Sequence, residues 1–399
     1  MKVNKVGIVL SGGGAKGAYQ IGVWKALKKL KIKYDVVTGT SVGALNGLLF
    51  VQKDYRKAHK IWKNLNYNII FDDISNLKNE NAYKTYIKET VKKGGMNVNK
   101  LKELIDKVFD ERKFYSSKID YGIVVFNLSK LKAEMLSKSE LTKDKIKDYV
   151  LASSTFFPFF KLKNIQGENY IDGGVYDNMP INLCAELGAN KIIVIDMKAI
   201  GIKQKVKDKN LEIITIAPKN KIIPLLIFDK ALSIKTMKFG YNDTMKKFGI
   251  YDGKIFTFKK NKISLYENVM KTMSFKILSF LSDRSKHQIF MPISKFALID
   301  ILENLGETFD LNQEKIYSIK RFNKELISKL NKDDDGMTQK IDKKVLAQSN
   351  SIKRKPYFIK YIIRIILSRN NKMIQVLAKN YPRDFLGAVY LYTLIYNKN

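Results

Sequence analysis

Near its N-terminus the chain repeats one pattern: a short apolar run, a turn containing glycine, and an apolar segment with helical spacing. The apolar runs are Val6–Leu10 and Tyr34–Thr38, and the segments that follow them are Ala18–Leu30 and Val42–Val51. Short β-branched runs are typical of buried strands, and apolar residues three or four positions apart are typical of helices. A strand–helix–strand–helix succession favours a parallel sheet covered by helices on both faces. The sequence therefore predicts an α/β fold.

The α/β pattern continues to about residue 250. Further strands are predicted at Tyr121–Phe126, Lys191–Asp196 and Leu211–Ala217. We therefore expect one sheet domain over residues 1–250. Beyond it, residues 251–399 have scattered apolar positions and are predicted to form a mostly helical region of unknown role, in which residues 332–336, KDDDG, form a loop.

A run of glycines directly follows the first apolar run, where residues 11–17 read SGGGAKG. Glycine permits positive φ angles, and the N–H groups of such a loop lie at a helix N-terminus whose dipole favours negative charge. The loop is therefore predicted to cradle an anion, either a phosphate or an oxyanion that develops during a reaction. Gly12, Gly14 and Gly17 also satisfy the dinucleotide fingerprint G-x-G-x-x-G. In that fold an acid lies near the carboxyl end of the second strand, whereas Asp35 precedes its predicted strand.

Residues 39–43 read GTSVG and follow the second apolar run, which is the strand–turn–helix context of a nucleophile elbow. Gly39 and Gly43 leave room for a strained turn that lifts the hydroxyl of Ser41 clear of the sheet. The pattern predicts that Ser41 is a nucleophile. The alternative is a serine that only caps the helix beginning at Val42.

Residues 172–174 read DGG, and Asp172 is the candidate base for this nucleophile. Taken alone, an Asp that caps a tight turn explains the motif at least as well. The order Ser41, Asp172, His287 matches that of an α/β-hydrolase triad. However, His287 and the other histidine, His59, lie in polar, charged surroundings that are typical of solvated residues. The sequence therefore favours a carboxylate as the base and a Ser–Asp dyad.

These segments together resemble the patatin-like phospholipase family. The motifs that carry the resemblance are G-G-G-A-K-G at 12–17, G-T-S-V-G at 39–43 and D-G-G at 172–174. Three further blocks are similar: Ala152-Ser153 with Pro158, Asn178-Met179-Pro180, and Phe239-Gly240-Tyr241 with Asp243. Order, spacing and local context all agree over about residues 5–250, and the resemblance does not extend to 251–399.

The resemblance implies a parallel-rich sheet sandwiched by helices and lipid acyl hydrolysis that needs no metal or other cofactor. Ser41 would attack the acyl ester carbonyl and form an acyl-enzyme, and Asp172 would accept the serine proton and later activate water. The N–H groups of the loop would hold the oxyanion, at Gly12, Gly13 and Gly14. Lys16 would raise the local positive potential. The other supporting motif residues are Gly17, Gly39, Gly43, Gly173 and Gly174.

Basic residues greatly outnumber acidic ones, with 73 Lys and Arg against 38 Asp and Glu and a formal net charge of +35. Such a charge favours an anionic partner, unless it only reflects a lysine-rich proteome. The chain has no zinc knuckle or aromatic RNA-binding block, so an anionic membrane surface is expected rather than nucleic acid. The candidate docking element is the amphipathic segment 351–371. The alternative is that this segment packs against the rest of the C-terminal region.

No segment has the roughly 20 uninterrupted apolar residues that a membrane-spanning helix needs. The run Val6–Leu10 is also too short for the core of a signal peptide. The chain is therefore expected in the cytoplasm, peripherally at the inner membrane surface, and its oligomeric state is left open. The expected function is a serine hydrolase that cleaves acyl esters of phospholipids or lysophospholipids. The alternatives are a catalytically silent membrane-binding module of the same fold and a dinucleotide-binding Rossmann protein.

Overall fold

A computed structural model describes residues 4–71, 80–92, 94–260, 295–332 and 355–396. The chain divides into two compact units, Met1–Lys247 and Phe248–Asn399. The division lies close to residue 250, where the sequence predicts that the α/β pattern ends.

The first unit contains the sheet. Its strands are β1 (Val6–Leu10), β2 (Val36–Thr40), β3 (Asp120–Asn127), β4 (Lys132–Ser137), β5 (Lys163–Ile165), β6 (Glu168–Asp172), β7 (Lys191–Ile195) and β8 (Glu212–Ile216). Its helices are α1 (Ala18–Lys29), α2 (Val42–Val51), α3 (Tyr55–Lys63), α4 (Glu80–Lys92), α5 (Asn99–Val108), α6 (Glu111–Ser116), α7 (Ile146–Ser153), α8 (Ile181–Glu186) and α9 (Lys230–Lys247). Each of the five strands predicted from the sequence is present within two residues of its expected ends.

The sheet is mostly parallel, as predicted. Strands β3, β2, β1, β7 and β8 lie side by side in that order and all run in the same direction. Strands β4 and β6 pair antiparallel with β3, and β5 pairs antiparallel with β6. The sequence analysis missed these three strands because they are short or partly exposed and contain no continuous apolar run.

Helices cover both faces of the sheet. Successive residues of a strand point to opposite faces. On β2, Val37 faces α2, since a Cβ added to Gly47 of α2 would lie 3.5 Å from Cγ1 of Val37. Thr38 points the other way, and its hydroxyl donates to the carbonyl of Pro180, immediately before α8, at 2.9 Å. The sheet is therefore sandwiched between helices, as the family resemblance implies.

Helices α1 and α9 cross at close range because each has a glycine at the contact. A Cβ added to Gly22 or to Gly240 would collide with the backbone of the other helix. Beside the crossing, the buried carboxylate of Asp243 accepts a hydrogen bond from the Tyr19 hydroxyl at 2.9 Å and pairs with Lys246 at 3.0 Å. Because α1 follows directly after the glycine loop, this contact fixes the helix on which the loop is mounted.

The second unit is mostly helical, as expected, but it also contains a small sheet. Its strands are β9 (Tyr251–Asp252), β10 (Thr257–Lys259) and β11 (Ile316–Tyr317). Its helices are α10 (Lys295–Thr308), α11 (Ile319–Lys332), α12 (Pro356–Leu367), α13 (Asn371–Asn380) and α14 (Pro382–Tyr396). Within the predicted KDDDG loop, Lys332 ends α11, and the residues that follow it lie outside the described residues.

In the amphipathic segment 351–371 considered for membrane docking, Pro356–Leu367 form α12, and residues 351–354 lie outside the described residues. Most of its apolar residues are buried in the core of the second unit: Phe358, Ile359, Ile362, Ile363 and Ile366. The apolar face of α12 is thus covered by protein, which agrees with the alternative that the segment packs against the rest of the C-terminal region. In the parts of the chain that the structure describes, no helix has the length and hydropathy needed to cross a bilayer.

We predict that Asp243→Ala lowers the free energy of unfolding of the first unit by about 3–5 kcal/mol, because it removes one member of a buried ion pair. Urea denaturation followed by tryptophan fluorescence measures this directly, since both tryptophans of the chain, Trp24 and Trp62, lie in the first unit.

The matched control is Glu212→Ala, which breaks the ion pair with Lys191 at 2.7 Å. Both partners of that pair are largely exposed, so the expected loss is about 1 kcal/mol or less. Equal losses in the two variants would contradict a special contribution of the buried pair.

Candidate active site

Ser41 lies between the end of β2 and the start of α2 in a strained backbone conformation. Its φ is 58° and its ψ is −130°, a combination that residues with a side chain rarely adopt. The side chain makes no capping hydrogen bond to α2. The helix-cap alternative therefore does not hold, and the conformation is that of a nucleophile elbow.

The two glycines of the elbow are required by close backbone contacts. A Cβ on Gly39 would collide with the backbone of Gly43, and a Cβ on Gly43 would collide with the carbonyl of Leu10 in β1. The predicted need for small residues on either side of Ser41 is therefore explained by the turn packing against its own sheet.

Two serines to which the sequence analysis gave no role hold the backbone of Ser41. The N–H of Ser41 donates to Oγ of Ser153 at 3.0 Å, and the hydroxyl of Ser154 donates to the carbonyl of Ser41 at 3.1 Å. The hydroxyl of Ser153 donates in turn to the carbonyl of Val124 in β3 at 2.8 Å. Ser153 belongs to the block Ala152-Ser153 with Pro158 that carries part of the family resemblance. Only the tertiary contacts show what the hydroxyls of Ser153 and Ser154 do.

Asp172, the last residue of β6, is brought to Ser41 by the register of the sheet. Thr40 pairs with Val124 of β3, and Asp172 pairs with the next residue, Val125. Because β4 occupies the other edge of both β3 residues, β2 and β6 lie end to end along one edge of β3. The two strand ends meet there, and the side chain of Ser41 lies close enough to the Asp172 carboxylate to lower its pKa.

The environment of Asp172 makes its carboxylate more basic than usual. Its side chain is only 3% exposed, and Oδ1 accepts a hydrogen bond from the N–H of Gly174 at 2.7 Å. Burial raises the pKa of Asp172 to about 6, although the hydrogen bonds from Ser41 and Gly174 act in the opposite direction. A carboxylate of this pKa is ionised at neutral pH and can accept a proton more readily than an exposed Asp.

Neither histidine takes part in this geometry as far as the structure describes it. His59 lies on α3 with its ring 5.8 Å from that of Tyr55, and it is not among the residues that line the cavity at Ser41. His287 lies outside the described residues.

The glycine loop packs directly beside the elbow. A Cβ added to Gly12 would lie 3.1 Å from Cβ of Ser41. Gly13 and Gly14 have φ angles of 153° and 51°, so the turn of the loop depends on glycine at both positions. Among the described residues the N–H groups of Gly13 and Gly14 have no protein acceptor, and both residues line the same cavity as Ser41.

Gly12 requires a correction to the expected oxyanion donors. Its N–H donates to the main-chain carbonyl of Asn178 at 3.2 Å and to Oδ1 of the same residue at 3.1 Å. The prediction that this N–H holds an oxyanion is therefore wrong. The ammonium of Lys16 donates to the carbonyl of Lys198 at 3.1 Å, and Lys16 is not part of the cavity wall. It fastens the glycine loop to the segment after β7.

Asn178 joins three segments around the site. It accepts the hydrogen bonds of Gly12, and its own N–H donates to the carbonyl of Ile202 at 2.6 Å. Its Nδ2 donates to the carbonyl of Ile200 at 3.3 Å. The residue follows the D-G-G motif closely, so one side chain connects the acid's segment, the glycine loop and residues 200–202.

A buried amide network supports the other end of the loop. Nδ2 of Asn46 donates to the carbonyl of Gly17 at 3.2 Å and to Oε1 of Gln20 at 2.8 Å. Oδ1 of Asn46 accepts from Nε1 of Trp62 at 2.9 Å. A Cβ on Gly17 would lie 2.7 Å from the indole of Trp62, which explains the last glycine of the loop motif.

The two glycines that follow Asp172 are also explained by their immediate surroundings. A Cβ on Gly173 would collide with the carbonyl of Val124, and Gly174 supplies the N–H that binds Asp172. The D-G-G motif thus turns the chain sharply against β3 while its own backbone holds the carboxylate.

Ser41 and Asp172 lie in the wall of a cavity of about 510 Å³. Most of the remaining wall is apolar, and it includes Leu45, Leu65, Leu101, Leu104, Phe160 and Phe228. Asp172 is the only ionisable side chain that lines the cavity in the described part of the chain. The cavity is therefore suited to an apolar chain with a reactive group at the Ser41 end.

The geometry does not favour the dinucleotide-binding alternative. Asp35 precedes β2, and its carboxylate accepts a hydrogen bond from the N–H of Val6, the first residue of β1, at 2.9 Å. The acid is therefore at the opposite end of these parallel strands from the glycine loop, where a ribose would not reach it.

The chain has an α/β fold with a strained strand–turn–helix elbow at Ser41, and comparison with known families adds to this description. Residues 8–185 match the family model of the patatin-like phospholipases. The match confirms, over these residues, the resemblance to patatin-like phospholipases that the sequence motifs predict.

Known proteins similar to the chain include large relatives of this family. Lysophospholipase nte1 of Aspergillus terreus is 29% identical over 210 residues, which are 49% of this chain and 12% of that protein. Patatin-like phospholipase domain-containing protein 7 of Rattus norvegicus is 25% identical over 201 residues, 49% of this chain and 14% of that protein. The chain thus spans a small part of the length of these relatives.

Two solved structures are also similar. VipD from Legionella pneumophila aligns with a TM-score of 0.40 at 14% identity, covering 98% of this chain and 90% of that one. The type III effector protein ExoU aligns with a TM-score of 0.34 at 12% identity, covering 97% of this chain and 77% of that one.

We predict that Asp172→Asn makes the folded protein more stable at pH 8, by about 2–3 kcal/mol. The raised pKa of Asp172 means that the folded state binds its proton more tightly than the unfolded state. Stability is therefore lost as the pH rises from about 4 to about 6, and the amide removes this loss while keeping an acceptor for Gly174. Urea denaturation at a series of pH values measures the difference, which should shrink below pH 6.

Asp208→Asn is the matched control, because Asp208 is exposed. It should change stability little at any of these pH values. A pH-independent difference between wild type and Asp172→Asn would contradict the raised pKa.

Proposed function

We propose that the first unit is a serine hydrolase of acyl-ester lipids, with Ser41 as nucleophile and Asp172 as base. The observation that carries the proposal is the meeting of three features in one apolar cavity. These are the strained Ser41, its partner Asp172, and a glycine loop with two N–H groups that have no acceptor among the described residues. The family match supports a lipid hydrolase in general, and the dyad is the finer part of the proposal.

In the first half of the reaction, Oγ of Ser41 attacks the carbonyl carbon of the acyl ester while Asp172 accepts the hydroxyl proton. The carbonyl electrons move to its oxygen, and the N–H groups of Gly13 and Gly14 stabilise the negative charge. Val42, which lines the cavity and is the first residue of α2, offers a further N–H without an intrahelical acceptor. When the tetrahedral intermediate collapses, the ester C–O bond breaks and the leaving alkoxide takes the proton from Asp172.

In the second half, a water molecule attacks the acyl-enzyme and transfers a proton to Asp172. The same N–H groups stabilise the second oxyanion. Collapse breaks the bond between the acyl carbon and Oγ of Ser41, which recovers its proton from Asp172, and a fatty acid leaves. Every proton that moves in this scheme passes through Asp172, so one buried carboxylate of raised pKa serves both steps.

The cavity wall supports an acyl chain as the part of the substrate that enters. The described residues that line the cavity include no basic side chain, so placing a phosphate or a charged headgroup among them would cost several kcal/mol. The headgroup is therefore expected to stay outside, as in a phospholipid or a lysophospholipid that inserts one chain. Lysophospholipids are the first class to test, because similar proteins carry the name lysophospholipase.

We predict that a fluorophosphonate probe labels Ser41, and that peptide mass spectrometry places the adduct there. Ser41→Ala should abolish labelling. Asp172→Asn should slow it by about 10²–10⁴-fold, because the hydroxyl would lose its base. Ser116→Ala serves as the control, since this exposed serine on α6 is outside the cavity and should leave labelling unchanged.

The outcome separates the hydrolase from a catalytically silent module of the same fold. A folded protein in which Ser41 does not react, with or without lipid vesicles, would favour the silent module. Labelling that Asp172→Asn does not slow would leave Ser41 as the nucleophile but remove Asp172 from the role of base.

We predict that kcat/KM for a lysophospholipid rises about tenfold per pH unit up to pH 6 and then levels off, because Asp172 must be ionised to accept the proton. The pH–rate profile of the purified protein measures the inflection. His59→Gln should leave the inflection where it is. An inflection that this variant removes would show that an imidazole, and not Asp172, controls the rate.

A further inference from the structure

The mouth of the cavity is marked by side chains that both line it and face the solvent. Ile200 is 84% exposed and Ile202 is 54% exposed, and both belong to the cavity wall. Val175, which follows the D-G-G motif, is 38% exposed and also lines the cavity. We call these three residues the mouth rim. Apolar side chains so exposed and so close together are typical of surfaces that contact a partner or a lipid.

Residues 200–202 are fixed by hydrogen bonds and close packing, so the exposed positions of Ile200 and Ile202 are a feature of the folded structure. The carbonyls of Ile200 and Ile202 accept hydrogen bonds from Asn178 at 3.3 and 2.6 Å. Gly201 between them lies against the Asn178 side chain, where a Cβ would approach it to 2.7 Å. The same asparagine anchors Gly12, so the rim and the glycine loop are positioned by one residue.

The rim continues into a strongly basic stretch. Five exposed lysines follow or flank it between residues 198 and 209: Lys198, Lys203, Lys205, Lys207 and Lys209. One exposed acid, Asp208, lies in the same stretch. Asp196 pairs with Lys203 at 2.8 Å and Glu186 pairs with Lys207 at 3.8 Å, so the excess positive charge is carried by Lys198, Lys205 and Lys209. An anionic surface complements this charge, and each lysine near such a surface contributes to binding.

We propose that the mouth rim and its lysines are the surface by which the first unit docks on an anionic lipid bilayer. The apolar rim enters the interface, the lysines meet the anionic headgroups, and the cavity mouth lies against the lipid. The proposed role of docking rests on the proposed hydrolase function, because a cavity mouth that lies against the bilayer lets a lipid chain enter without crossing water. Vesicle binding itself does not depend on catalysis.

Two other exposed apolar residues provide matched comparisons. Leu131 is 76% exposed in the hairpin between β3 and β4, where Lys130 and Lys132 flank it, but it does not line the cavity. Leu367 is 45% exposed at the end of α12 in the second unit, next to basic residues. Both have the local chemistry of the rim, and neither is among the residues that line the cavity.

The experiment measures sedimentation of the full chain with vesicles, in a Ser41→Ala background that prevents turnover. Vesicles of phosphatidylcholine with phosphatidylglycerol are compared with phosphatidylcholine alone. Ile200→Asp combined with Ile202→Asp should weaken partitioning onto the anionic vesicles by at least about tenfold. Lys198→Glu combined with Lys205→Glu should do the same on anionic vesicles, with an effect that added salt reduces.

Leu131→Asp should leave partitioning unchanged, and circular dichroism with thermal unfolding should show that all variants fold. Rim variants that bind as well as the parent chain would overturn the proposal, and so would a parent chain that does not bind anionic vesicles. If Leu367→Asp weakens binding while the rim variants do not, the docking surface belongs to the second unit. Labelling of Ser41 in the wild-type background tests the hydrolase separately, so failure of docking and failure of catalysis are distinguishable.

Discussion

Strand β3 presents one edge to two strands in succession, and the site depends on that arrangement. Strand β2 runs parallel to its first part and ends at Thr40, and β6 runs antiparallel to its last part and ends at Asp172. The residues after the two strand ends therefore meet over the middle of the sheet. A shift of one residue in the register of β6 would turn Asp172 to the other face of the sheet, so the ladder hydrogen bonds between β3 and β6 determine whether the acid reaches Ser41 at all.

The elbow and the glycine loop are held by buried polar side chains rather than by apolar packing alone. A backbone strained as at Ser41 typically costs about 1–3 kcal/mol, and the bonds from Ser153 and Ser154 offset part of this cost. Asn178 and Asn46 play the same part for the glycine loop. Amide side chains suit this position because each can donate and accept at once. The site is thus ordered before any substrate arrives, which is the condition for effective oxyanion stabilisation.

The two ends of the cavity differ in exposure: Asp172 at one end is buried, and Ile200 and Ile202 at the other end are exposed. At the inner end burial raises the pKa of Asp172, which costs folding free energy at neutral pH and makes the carboxylate a better base. At the mouth, the side chains of Ile200 and Ile202 are exposed among lysines, although isoleucine side chains are usually buried. Both features are unfavourable for an isolated globular domain, and both have a chemical reason if the cavity takes lipid chains from an anionic surface.

The sequence by itself determined the parallel core, the glycine loop and the elbow at Ser41, because strand and helix periods and turn composition are local properties. It left Asp172 open between a base and a turn cap, and it wrongly made the Gly12 N–H an oxyanion donor. The surroundings of both residues depend on partners far along the chain: pairing with Val125 sets the position of Asp172, and Asn178 accepts the N–H of Gly12. Strands β4 to β6 and the burial of α12 were likewise decided by tertiary packing. A pairing between distant segments leaves no periodic pattern in either one, so only the folded structure reveals it.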